Sequence, residues 1–199
     1  MAADEGAPKI YVAINDLHVY ASAISQPTGI QRVASGLATA LIEAGATTIL
    51  LTPDGPRAVG LPRASAPTAV DRGTARATLR ETVLRLLARL PRPIQETARR
   101  AARTLLARRV ERRGGAPVTL EPGDWILLLG APWIAPGMAA AALRIRATAG
   151  ARIGLLVHDL LPTTQPRWFA DAQGRAAKLD VESLIQGASH LFAVSSEVQ

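Results

Sequence analysis

No cysteine occurs in this chain. That excludes a disulfide framework, a thiolate nucleophile and a thiolate metal site. Histidine is almost as scarce. His18, His158 and His190 are the whole supply, and their spacing matches no compact metal-ligand pattern. Lysine occurs only at positions 9 and 178, so nearly all of the 23 basic residues are arginine. Aromatics make up 4% of the chain, and residues 57–113 contain none. This removes the stacking platform that single-strand nucleic-acid binders use. No G-x-S-x-G elbow is present, which disfavours a Ser-His-Asp hydrolase. No G-x-G-x-x-G or Walker loop is present either, so a stand-alone nucleotide-binding enzyme of those types lacks support.

Long uninterrupted apolar runs are also missing. The one uncharged window of spanning length, Trp125–Leu143, contains Gly130, Pro132, Pro136 and Gly137. These residues break it into a short strand, a turn and an alanine-rich helix start. The first residues, MAADEGAPK, carry acids where a signal peptide carries bases, and no apolar stretch of signal type follows. The expected location is therefore cytoplasmic.

What remains is a chain of 199 residues, 48% hydrophobic, enough for one ordinary domain. The formal charge of +7 is unevenly placed. Residues 57–113 hold 15 arginines against four acids, a net of +11, so the rest of the chain carries −4. A mildly acidic body bears one strongly basic segment. The arginine and alanine usage also fits a GC-rich coding sequence, so part of the basicity need not serve function.

The body alternates strands and helices. Lys9–Asn15 reads as a strand, with Ile10, Val12 and Ile14 alternating. Residues 16–28 read as a long polar loop. From Gly29 to Gly45 the chain reads as a helix with an apolar stripe of Ile30, Val33, Leu37, Leu41 and Ala44. Thr47–Thr52 is a second strand, so this portion forms a βαβ unit. Residues 56–70 read as irregular. Two helices, Thr74–Leu90 and Ile94–Arg112, look like an insertion between sheet strands. The alternation resumes with a strand at Asp124–Leu129, a helix at Pro136–Ala149, a strand at Arg152–Val157, a helix at Phe169–Gln186 and a strand at His190–Val194. The expected fold is α/β and Rossmann-like: an open, mostly parallel sheet with helices on both faces, plus the helical insertion. Residues 1–56 and 114–199 would form the sheet domain and 57–113 the insertion. A final strand without its covering helix predicts that the chain is a fragment.

Three features are candidates for chemistry. The first is Thr28-Gly29-Ile30-Gln31-Arg32, at the mouth of the helix after the first strand. Backbone N–H groups and the helix dipole there suit a phosphate or diphosphate. A plain helix start with a solvated Arg32 is the alternative. The second is His158-Asp159, where the apolar run Ile153–Val157 stops. An imidazole at a strand end can hydrogen-bond a sugar or phosphate oxygen, or move a proton, and Asp159 could orient it. A structural histidine followed by a turn-capping aspartate is the alternative. The third is the basic helical pair, residues 74–113. It reads as a solvated helical hairpin, with an anionic membrane surface as a candidate partner. Nucleic acid is disfavoured.

Two stretches together carry a resemblance. T-G-I-Q-R at 28–32 opens a helix after a first strand. Later come D-W-I-L-L-L-G-A-P-W at 124–133, V-H-D-L-L-P-T-T-Q-P at 157–166, and a strand ending A-V-S-S at 193–196. In this order they resemble the N-terminal, acceptor-side domain of GT-B glycosyltransferases of family 4, the retaining group that uses nucleotide-sugars. The resemblance covers residues 10–52 and 123–199. It implies a hexosyltransferase acting on a saccharide or lipid-linked saccharide acceptor, as in polysaccharide biosynthesis. It implies a nucleotide-sugar donor as substrate, no required metal, and a peripheral position at the inner face of the membrane as one option. It assigns Gly29, with Thr28 and Arg32, to the donor diphosphate, and His158 and Asp159 to the reaction centre. Many members have Gly-Gly where this chain has Thr28-Gly29, so close backbone approach is less assured. The family's second, donor-binding domain, with its paired glutamates, has no counterpart in these residues. Little transferase activity is therefore expected from this chain alone. The competing reading is a non-catalytic basic module on an anionic membrane.

Overall fold

A computed structural model describes residues 6–23, 28–62, 91–160, 164–165 and 172–195. Six strands form one sheet: β1 (Ile10–Ala13), β2 (Thr47–Thr52), β3 (Gly55–Ala58), β4 (Trp125–Leu128), β5 (Arg152–Val157) and β6 (His190–Ala193). Their order is β3-β2-β1-β4-β5-β6. Every pairing is parallel except β2 with β3, an antiparallel edge hairpin. The helices are α1 (Asn15–Ala23), α2 (Gly29–Glu43), α3 (Arg92–Glu111), α4 (Met138–Ala149) and α5 (Ala172–Gly187), with a 3-10 turn at Pro132–Ile134. This is a Rossmann-like open α/β fold, as the alternation of patterns predicts.

The central strands are apolar on both faces because both faces are covered. On β1, Val12 belongs to one core cluster while Tyr11 and Ala13 belong to another. That period of two sorts the helices. Ala34 and Ala38 of α2 pack with Val12, Ile14 and Leu129. Ala107 and Val110 of α3, Ala142 and Ile145 of α4 and Leu184 of α5 pack with Ile126, Leu128 and Ile153 on the opposite side.

Three expectations need correction. Residues 15–23 are helical, not a loop. Every residue from Asn15 to Tyr20 is buried, so α1 has no polar face to alternate with an apolar one, and periodicity cannot reveal it. Residues 55–58 form β3 rather than irregular chain. The strand is held on its far side by residues 115–118: Ala58 N–H donates to Ala116 O at 2.9 Å and Val118 N–H to Pro56 O at 2.9 Å. Finally, α2 buries Gln31, Ala34 and Ala38, whereas Val33 and Leu37 of the expected stripe are 42% and 41% exposed. Small alanines let the helix backbone approach the sheet, and that face won over the bulkier row.

The uncharged window 125–143 is divided as expected into β4, the 3-10 turn and the start of α4. Among the described residues no helix is long and apolar enough to cross a membrane. The expected helix at 74–90 lies outside the described residues, as do Pro162, Pro166 and Ser196.

Candidate functional site

In the order β3-β2-β1-β4-β5-β6 the chain leaves β1 toward β2 on one side and returns to β4 on the other. Connections diverge there, and the carboxyl ends of β1 and β4 flank the crevice where open α/β sheets place ligands. The sequence puts polar residues at that edge: Asn15 and Asp16 after β1, and His158 and Asp159 after β5.

Asn15 extends the β1–β2 ladder with its side chain. Its Nδ2 donates to Leu51 O at 2.8 Å, and Leu51 N–H donates back to Oδ1 at 2.8 Å. The buried amide is thereby satisfied on both sides. Asp16 follows in the first turn of α1, where the helix dipole favours a carboxylate. It is 1% exposed, and its Oδ2 accepts from Ala131 N–H at 2.8 Å. A β-carbon on Gly130 would overlap this carboxylate. Only glycine fits there, for steric reasons and not for its backbone freedom. Burial pushes the Asp16 pKa up. Backbone N–H groups of Ala131, Leu17 and Asp16 itself, and the nearby His158, pull it back.

His158 reaches the same stretch from the other side. Its Nε2 lies 2.8 Å from Leu129 O. A carbonyl only accepts, so Nε2 carries a proton and donates it to Leu129 O. The ring is half-buried. Asp16 and His158 therefore hold Leu129–Ala131 from two directions, tying the ends of β1, β4 and β5 together. His18, one turn into α1, is pinned in the same way, with Nε2 2.9 Å from Gly60 O. Burial lowers its pKa, the bond to Gly60 opposes this, and Arg113 adds to the lowering. Asp159 is half-buried in the segment after β5.

Thr28, Gly29 and Arg32 share the first turn of α2. Helix α2 ends just before β2 begins and packs Ala34 and Ala38 along β1, so it runs antiparallel to the strands and its first turn lies toward their carboxyl edge. Thr28 Oγ1 donates to Gln31 Oε1 and does not cap a backbone N–H. Gly29 has open space around its missing β-carbon, so backbone approach by an anion is sterically free. The space does not demand glycine. Arg32 is exposed.

The edge thus offers the N–H groups of a helix start, an exposed guanidinium and the half-buried His158 imidazole. Asn15 and Asp16 were not singled out from the sequence, and Gly130 only as a break in the uncharged window. The available signal was a polar Asn-Asp pair directly after an apolar strand. Comparison with protein-family models, curated protein sequences and solved structures returned no match to this chain.

Proposed function

We propose that this chain is the acceptor-side half of a retaining, nucleotide-sugar-dependent glycosyltransferase of GT-B type, resembling family 4. The observation that carries the reading is the carboxyl edge of the sheet: His158 follows β5 there, fixed to Leu129 O, and α2 runs back along β1 from its open first turn. In this reading the N–H groups of that turn, beginning at Gly29, and the Arg32 guanidinium attract the donor diphosphate. His158 accepts a hydrogen bond from a hydroxyl of the transferred sugar and holds it in register. Asp159 positions the segment that follows. Asp16 keeps Leu129–Ala131, and so His158, in place. The donor is a nucleotide-sugar and the acceptor a saccharide or lipid-linked saccharide. A second, donor-binding domain belongs to this reading, as does a cytoplasmic, membrane-peripheral location.

The test is sugar transfer from labelled nucleotide-hexoses by the whole protein that contains this sequence. His158→Ala should lower turnover by roughly 10²-fold or more with the fold retained. Wild-type turnover in that variant would refute the role of His158.

A second reading draws on one observation. Arg108, Arg109, Arg112 and Arg113 are all exposed at the end of α3. Such a cluster can rest on anionic lipid, each arginine contributing about 1 kcal/mol near the surface. Flotation with phosphatidylserine vesicles should weaken in Arg109→Gln/Arg113→Gln. Equal binding by that variant would remove the membrane reading.

A further inference from the structure

The turn between β2 and β3, strand β3 and the last turn of α3 enclose an open cavity of about 370 Å³. It opens at the carboxyl end of β2, and its size falls at the lower end of the range for small-ligand sites. Its walls carry Arg57, Arg108 and Arg112 together with Asp54 and Glu111.

The bland explanation is that arginines near the end of α3 complement the helix dipole. That accounts for Arg108 and Arg112 but not for Arg57, which comes from β3. Arg57 is built in. Its stem lies against Gly114, where a β-carbon would stand 2.9 Å from Arg57 Cβ. The opposite wall is held as firmly. Arg144 of α4 donates to Thr52 O and Pro53 O at 3.1 and 3.0 Å. Thr52 Oγ1 bonds Gly55 O at 2.7 Å and receives Asp54 N–H at 3.2 Å, which sets the turn that bears Asp54. Among these described residues, no guanidinium closes to an ion pair with either carboxylate. Three cations and two anions therefore line one space with no ion pair between them.

The chemistry selects the occupant. Guanidinium groups bind phosphate oxygens in forked pairs. Ionised carboxylates repel phosphate by their charge but accept hydrogen bonds from hydroxyl groups. Phosphate alone would leave Asp54 and Glu111 facing an anion. A neutral sugar would leave the excess positive charge of three guanidiniums over two carboxylates unmatched. We propose that the cavity binds a small phosphorylated sugar or polyol, with its phosphate on Arg57, Arg108 and Arg112 and its hydroxyls on Asp54 and Glu111. This rests on the cavity alone and stands or falls separately from the transfer reading.

The experiment is isothermal titration of the full chain with glucose 1-phosphate, glucose 6-phosphate, inorganic phosphate and glucose. At least one glucose phosphate should bind saturably in the millimolar range or tighter. It should bind about tenfold tighter than inorganic phosphate, the gain expected from two added hydroxyl–carboxylate bonds. Arg108→Gln/Arg112→Gln should weaken it by at least about tenfold at an unchanged unfolding midpoint. Asp54→Asn, on the exposed turn, should narrow the preference over inorganic phosphate. No saturable binding of either sugar phosphate overturns the proposal. So does equal affinity for inorganic phosphate, or unchanged affinity in the folded double arginine variant.

Discussion

The Asp16 carboxylate occupies the space that a β-carbon on Gly130 would fill, and its Oδ2 accepts the neighbouring Ala131 N–H at 2.8 Å. One residue follows β1, in the first turn of α1, and the other follows β4, so this contact closes the two sides of the crevice against each other. Gly130→Ala should force the carboxylate away and break that bond. The expected cost is about 3 kcal/mol, combining overpacking with a lost charge-assisted hydrogen bond. Urea unfolding measures it. A loss below about 1 kcal/mol would show that the carboxylate yields freely.

Asp16→Ala and Asp16→Asn should differ. Alanine strands the buried Ala131 N–H, at about 1–3 kcal/mol, whereas asparagine retains an acceptor. The pH dependence has a defined sign. The folded pKa of Asp16 is raised, so the folded state holds its proton more tightly than the unfolded state. Its contribution is complete below the ordinary carboxylate value of 3.8 and is lost as pH rises through the folded value. Relative to Asp16→Asn, the wild type should therefore compare better at about pH 4 than at about pH 7. A difference independent of pH would contradict this.

His18 should behave oppositely. Its folded pKa is lowered from 6.5, chiefly by burial. The stability it contributes is present above 6.5 and is lost as pH falls through the folded value. In a proton NMR titration its ring should turn over below 6.5. His18→Gln should remove part of the stability loss on the acid side. A ring that titrates above the ordinary histidine value would be incompatible with the pinned, buried geometry.

Helix α2 provides a test of face. Ala38 is fully buried against the sheet, while Val33 is 42% exposed. Ala38→Leu should cost about 1–3 kcal/mol by overpacking, and Val33→Ser should stay within about 0.5 kcal/mol. Thermal unfolding of the two variants decides it. The reverse ranking would place the Val33–Leu37 row against the sheet.

The residues that showed themselves in advance share a property: their role depends on near neighbours in sequence. Thr47–Thr52 and Arg152–Val157 are strands by run length and branching, and their observed bounds are those expected. Gly150, in the left-handed conformation at φ 67°, caps α4 directly after Ala149, the helix end expected from the sequence. His158 was noticed because an apolar strand stops there. Asp16 went unnoticed because its partners, Gly130 and Ala131, are more than a hundred residues away. The cavity beside β3 was hidden for the same reason, since Asp54 and Arg57 meet Arg108 and Glu111 only after the sheet has formed.

The sequence by itself determined the α/β alternation, the two-faced apolar strands and the concentration of arginine in residues 57–113. Those follow from local periodicity and composition, which need no partner. Only the tertiary structure decided that residues 15–23 are a buried helix, that α2 turns its alanines inward, and which polar groups converge at the carboxyl edge. Each of these depends on burial against distant chain, and burial sets whether a polar side chain is solvated, satisfied or held facing an open crevice.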